Sequence, residues 1–313
     1  MIIKGLNNKQ KEAVETLEGP VLILAGAGAG KTKTITHRIL NLIKNGVKPS
    51  KILAITFTNK AANEMKERVF DLIGQDKTLN IPITFTEKPF VSTFHALGVH
   101  IIKENGALLG ISRNFTIYDR GDSKRAIKNA LEEIGFDTKQ YEPGAILNAI
   151  SREKGDGKTF SAYKNSNREY FQKIVAQVWE KYEAILNQEK SLDFDDLLLK
   201  TAILLRNHES IRKHYHTVWE YIHVDEYQDT NQVQYDIIRL LGEKTQNVCV
   251  VGDGDQLIYG WRGADIGNIM NFEKEYPETK VITLEENYRS TQTILTAANN
   301  VIKKNIIRKE KNL

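Results

Sequence analysis

Apolar residues fall along this chain in two rhythms. Three runs are apolar at nearly every position and closed by glycine or polar residues: PVLILAG at 20–26, KILAITFT at 51–58 and NVCVVGD at 247–253. Unbroken apolarity is what a strand covered on both faces of a parallel sheet requires. YIHVDE at 221–226 is a fourth candidate strand, ending on two carboxylates. Between the first two runs, TKTITHRILNLIKNG repeats its apolar residues at helical spacing and stops at Gly46, the residue type that closes helices. Strand, helix and strand in that order make a βαβ unit. The expected class is therefore α/β with a parallel sheet, whose ligands belong at the carboxyl ends of the strands.

Residues 96–194 follow the other rhythm. SKRAIKNALEEIGF and EYFQKIVAQVWEKYEAILNQ are helical in period and no buried strand stands out, so an all-helical domain inserted into the α/β core is expected, the core resuming near Asp195. Within it, SREKGDGKTFSAYKNSNREY at 151–170 is basic and glycine-containing, and reads as a solvated loop in preference to a nucleic-acid contact.

Composition narrows the picture a little. A chain of 313 residues exceeds one ordinary core, so two or more folding units are expected. Charged residues make up 27%, mean hydropathy is -0.41 and no long apolar run occurs, which argues against a membrane span. MIIKGLNNKQ lacks an export signal's apolar core. The one cysteine, Cys249, excludes an internal disulfide, fits a reducing cytoplasm and sits in NVCVV as a small core residue. The net charge of +4 permits nucleic-acid binding without specifying it.

Chemistry enters with AGAGAGKT at 25–32, directly after a strand and directly before a helix. The backbone of Gly26, Ala27, Gly28, Ala29 and Gly30, with the helix N-terminus, can cradle phosphates. Lys31 can reach the β- and γ-phosphates, and the Thr32 hydroxyl can bind Mg²⁺. The strict phosphate-loop pattern begins with glycine, where this chain has Ala25. YIHVDEYQD offers the second half of such a site: Asp225 to hold Mg²⁺ through water, and Glu226 to orient and deprotonate an attacking water. A third segment, VVGDGDQLIYGWRGA at 250–264, crowds acidic, amide and aromatic side chains after a strand, more than a turn needs.

These segments resemble the N-terminal half of the UvrD/Rep/PcrA-type DNA helicases of superfamily I. The matches run in family order: LNNKQ at 6–10, AGAGAGKT at 25–32, TFTNKAANEM at 56–65, STFHAL at 92–97, DFDDLL at 193–198, VDEYQDTN at 224–231, GDGDQLIYGWRGA at 252–264 and ENYRS at 286–290. The resemblance implies a RecA-like ATPase fold using ATP and Mg²⁺. It also implies that Gln10 reads the adenine edge, that Tyr288 stacks on the base, and that Lys33 lies where relatives often carry arginine against the adenine. Gln256 becomes the γ-phosphate contact and Arg289 an arginine finger from a second motor domain. Phe57, Asn59, His95, Tyr259, Trp261 and Arg262 fall where the family touches single-stranded DNA. Leu257 departs from the usual serine, which removes a local hydrogen bond.

The expected organisation is a first motor domain at 1–95 and 195–280, the helical insertion at 96–194, and the start of a second motor domain at 281–313, the chain ending short of that domain's remainder. The implied activity is ATP-driven 3′ to 5′ movement on single-stranded DNA, with junctions of single and double strands as partners, and this stretch of chain is expected to hydrolyse ATP poorly by itself. Two alternatives stay open at this point: the motor portion of a helicase-nuclease subunit, and a P-loop regulatory ATPase that does not act on nucleic acid.

Overall fold

The computed structural model describes residues 5–76, 87–165 and 169–304, with the Arg262 side chain outside that description. Two compact units divide the chain: Met1–Phe94, Arg212–Thr230 and Ile238–Leu313 form the first, His95–Ile211 and Asn231–Ile237 the second. The chain opens with α1 (Asn8–Glu15), β1 (Val21–Ala25), α2 (Lys31–Lys44), β2 (Ile52–Thr56), α3 (Asn59–Gln75) and β3 (Phe90–Thr93). It continues with α4 (Phe94–Asn105), β4 (Thr116–Ile117), α5 (Arg120–Glu133), α6 (Pro143–Gly155), α7 (Phe160–Lys164), α8 (Tyr170–Gln188), β5 (Ser191–Leu192) and α9 (Phe194–Asn207). After these come α10 (Glu209–Val218), β6 (Tyr221–Val224), α11 (Gln232–Gly242), β7 (Val248–Gly252), α12 (Ile266–Met270), α13 (Phe272–Glu275), β8 (Lys280–Leu284) and α14 (Gln292–Ile302).

In the first unit six strands pair in the order β3-β2-β6-β7-β1-β8, every pair parallel. The fold class expected from the apolar runs is the one observed. Strands β1, β2 and β7 are buried at every position, which is why their sequences show no alternation. Their Val21, Ile23, Ile52, Cys249 and Val251 pack with Ile35, Ile39 and Ile43 of α2 and Met65 and Val69 of α3. Each fully buried Val, Ile or Leu contributes about 1.5–3 kcal/mol relative to exposure. Residues 281–284, expected at the start of a further domain, instead lie in β8, paired to β1 from Val21↔Lys280 to Ala25↔Leu284. The order brings the carboxyl ends of β1, β7 and β6 side by side.

The second unit is helical apart from the two-residue β4–β5 ladder. Helix α8 buries Ile174, Val175, Val178, Trp179, Tyr182 and Leu186, a stripe at helical spacing, against Ile127 and Leu131 of α5 and Ile146 and Ile150 of α6. DFDDLL begins α9 with a capping box, Asp193 and Asp196 each accepting from the other's backbone N–H. The segment at 151–170, read from sequence as a solvated loop, holds the end of α6 and all of α7, and its Lys154 is fully buried. This unit runs on to Ile211, beyond the point near Asp195 where the core was expected to resume. No helix among the described residues is long and apolar enough to cross a membrane.

Candidate nucleotide site and the aromatic turn beside it

The loop between β1 and α2 depends on two glycines held in left-handed conformations, Gly28 at φ 80° and Gly30 at φ 82°. A Cβ on Gly30 would lie 2.6 Å from Gln10 Nε2, and one on Gly28 2.6 Å from the Arg289 Cβ, so the backbone is approached closely from both sides. Gln10 reaches the loop because it is the third residue of α1. Its side chain closes the capping box with Asn7 while Nε2 donates to the Ala29 carbonyl at 3.0 Å. From the far side, the Tyr288 N–H donates to the Gly28 carbonyl at 3.0 Å and Asn287 Nδ2 to the Ala27 carbonyl at 2.5 Å. The Tyr288 hydroxyl accepts from Asn7 Nδ2 at 2.9 Å, so Gln10 and Tyr288 meet at the two ends of one asparagine. Lys33 is exposed, its ammonium donating to the Gly5 carbonyl at 2.7 Å.

Carboxylates arrive from the end of β6. Lys31 Nζ lies 2.6 Å from Glu226 Oε2, and Thr32 Oγ1 donates to Asp225 Oδ2 at 3.3 Å. Glu226 sits at φ 50°, a left-handed backbone that turns its side chain out of the strand direction. Burial, then the neighbouring Glu226 charge, push the Asp225 carboxyl up to about 6 against the pull of Lys31. Asp229 is raised to about 6 by the same two causes. No three His, Cys, Asp or Glu side chains come together as a metal cage among the described residues. The donors that do converge, one hydroxyl and one carboxylate beside a phosphate-shaped loop, suit a Mg²⁺ that keeps most of its waters and shares nucleotide phosphates.

The segment after β7 carries the third set of residues. Asp253 caps a 3-10 turn over Gly254–Gln256, and Gln256 Nε2 donates back to Asp253 Oδ2 at 2.5 Å. A second 3-10 turn, Gly260–Arg262, closes on Gly263 at φ 84°. It leaves Trp261 75% exposed, with its ring 6.4 Å from that of half-buried Tyr259 and tilted by 56°. A tryptophan packed into the core would be covered, so this ring is a surface feature.

Phe57 is half-buried and meets Phe94 edge to face at 5.9 Å, and Asn59 is exposed at the start of α3, whose N-cap is Thr58. His95 belongs to the second unit, where it packs edge to face on Phe194 at 5.4 Å and is kept below its ordinary pKa by burial. Arg289 is exposed on the segment that crosses Gly28. Three residues lie inside the matched motifs without having been given a role there. Phe194 is an exposed aromatic in the first turn of α9, Asn287 fastens 287–290 to the glycine loop, and Gln228 bridges two strand ends.

A parallel sheet whose β1–α2 loop presents Lys-Thr to an Asp-Glu pair defines a P-loop nucleotide-binding domain of RecA-like form. Residues 6–277 match the UvrD/REP helicase N-terminal domain, and the chain belongs to that family. It is 48% identical over 313 residues to the ATP-dependent DNA helicase PcrA of Leuconostoc citreum, a match covering 100% of this chain and 41% of that protein. The ATP-dependent DNA helicases PcrA of Staphylococcus aureus (strain NCTC 8325 / PS 47) and Staphylococcus epidermidis are each 48% identical over the same 313 residues, 42% of their length. The chain thus spans about two fifths of the length of the curated relatives it matches.

Proposed function

We propose that this chain is the nucleotide-binding core of a DNA helicase that couples ATP hydrolysis to 3′ to 5′ movement on single-stranded DNA, working in the cytoplasm at junctions of single and double strands. The observation that carries the reading is the pairing of Lys31 with Glu226 at 2.6 Å beside Thr32 and Asp225 at 3.3 Å, on a loop whose Gly28 and Gly30 leave no room for a Cβ. Each side chain then has a role that its chemistry fits. Lys31 exchanges Glu226 for the β- and γ-phosphates, which frees the carboxylate to orient a water and take its proton. Thr32 and Asp225 would hold Mg²⁺, which when bound neutralises developing phosphate charge. The backbone of Gly26, Ala27, Gly28, Ala29 and Gly30 cradles the phosphates, while Gln10, Lys33 and Tyr288 line the base. Gln256 senses the γ-phosphate, and Arg289 acts as an arginine finger.

Single-stranded DNA lies on Trp261 and Tyr259, with Phe57, Asn59, His95 and Arg262 completing the contacts. Base stacking suits an exposed, tilted aromatic pair because every base has a π-face. The 75% exposure of Trp261 also weighs against a regulatory ATPase without a nucleic-acid partner, which has no use for so exposed an indole. The test is steady-state ATP hydrolysis with and without oligothymidylate. Stimulation by the oligonucleotide is the expected result, and hydrolysis indifferent to it would favour the regulatory ATPase.

A further inference from the structure

Gln228 lies in the 3-10 turn Tyr227–Asp229 after β6 and is only 1% exposed. Both ends of its amide meet partners of fixed polarity. Nε2 donates to Glu226 Oε2 at 2.9 Å, and Oε1 accepts from the Asp253 N–H at 3.0 Å. A backbone N–H can only donate and an ionised carboxylate can only accept, so the amide has one workable orientation. On one side, the same Glu226 oxygen is the one held by Lys31. On the other, Asp253 accepts from the Asp255 N–H at 3.0 Å and from Gln256 Nε2 at 2.5 Å. Lys31, Glu226, Gln228, Asp253 and Gln256 are therefore one continuous run of hydrogen bonds. The end of β7 is shaped around it: a Cβ on Gly252 would lie 2.7 Å from Gln228 Oε1.

We propose that Gln228 is a positioning residue that ties Glu226 to the segment after β7 that carries Gln256, Tyr259 and Trp261, so that DNA on the aromatic turn sets the placement of the catalytic base. The proposal rests on Glu226 as base and Trp261 as DNA platform. When Lys31 turns to a phosphate, the Gln228 amide is the described partner left on Glu226 Oε2. Because the amide is buried, losing either partner leaves a polar group unsatisfied, and a shift of the Asp253 backbone must be followed by Gln228 or be resisted by it. The carboxylate thereby feels where the turn lies, though the two are on different strands.

The experiment measures ATP hydrolysis against ATP concentration, with and without oligothymidylate, for the wild-type chain, Gln228→Met, Gly252→Ala and Glu226→Gln, with thermal unfolding alongside. Gln228→Met keeps side-chain length and removes both hydrogen bonds. Gly252→Ala removes no polar group and displaces the Gln228 oxygen while also crowding Ile269 Cδ1 at 3.0 Å, so it decides the matter wherever thermal unfolding shows it folded and Gln228→Met is unstable. For both variants the DNA-stimulated kcat is expected to fall at least about tenfold, the worth of a hydrogen bond to a charged group. KM for ATP should stay within about threefold, because ground-state binding is untouched. Stimulation retained within about twofold, or a loss appearing in KM instead of kcat, overturns the proposal and leaves Glu226 as base. Normal hydrolysis by Glu226→Gln overturns the reading beneath it as well.

Discussion

Each unit holds a lysine among carboxylates, and the two clusters behave as opposites. Lys154 is wholly buried, with Asp193 and Asp196 both at 2.9 Å and Glu183 at 3.5 Å, and the Tyr182 hydroxyl donates to Asp193 at 3.0 Å. Burial pulls its ammonium down, but Asp193, Asp196 and Glu183 more than offset this and hold it well above the usual lysine range. Among the described residues Lys31 pairs directly with one carboxylate, Glu226 at 2.6 Å, and while its own side chain is 10% exposed, that of Glu226 is 37% exposed. The first cluster is saturated and dry. The second is short of partners and open at one side, so a ligand can replace one ion pair with another at little desolvation cost. Burial and partner number separate a cation that fixes a fold from one that changes hands.

The contrast is broken most sharply at Glu226. Glu226→Gln should keep ATP affinity within a few-fold while turnover falls by about 10² to 10⁴, the worth of a positioned general base. Equilibrium binding of a fluorescent ATP analogue and single-turnover hydrolysis separate the two effects. At the other cluster, Lys154→Ala leaves buried carboxylates without their cation and should destabilise the chain by about 3–5 kcal/mol, read by denaturant unfolding. If Lys154→Ala cost nothing while Lys31→Ala unfolded the chain, the assignment of fixed and exchangeable clusters would be reversed.

Smaller effects sharpen the picture. Trp261→Ala should weaken oligothymidylate binding roughly 5- to 150-fold, the range of one base stacked on an aromatic ring. Fluorescence anisotropy measures it, and normal binding would return Trp261 to a structural role. The Asp225 carboxyl, raised to about 6, must be ionised to hold a metal, so acid should inhibit. Because kcat/KM reports the free protein, it should fall about tenfold per pH unit once pH drops below about 6. A limb near pH 4 instead would mean that Asp225 does not limit nucleotide binding.

How much was legible in sequence follows from where the causes lie. Strands β1, β2, β6 and β7 are interior and buried, so their apolar runs announced them. The outermost strands did not: β3 spends half its length on Ser92 and Thr93, and β8 is exposed at Lys280 and Val281. The phosphate loop and the Asp-Glu pair were readable because their chemistry is local to a few consecutive residues. Gln228 was not, since its meaning depends on β6 and β7 being neighbours, a fact of strand order. Lys154 looked like one more charge in a basic stretch because its partners stand 29 to 42 residues away, at Glu183, Asp193 and Asp196. Periodicity reports burial along one element, and says little about which elements share an end.

The nucleotide site and the aromatic turn act as one device. Its most direct test is the affinity of the chain for oligothymidylate, measured by anisotropy with and without a non-hydrolysable ATP analogue and Mg²⁺. Coupled sites should differ between the two conditions by at least about fivefold, the lower end of ordinary coupling energies, and Gln256→Ala should remove the difference while leaving nucleotide-free binding intact. An affinity that ignores the analogue in the wild-type chain would contradict the account.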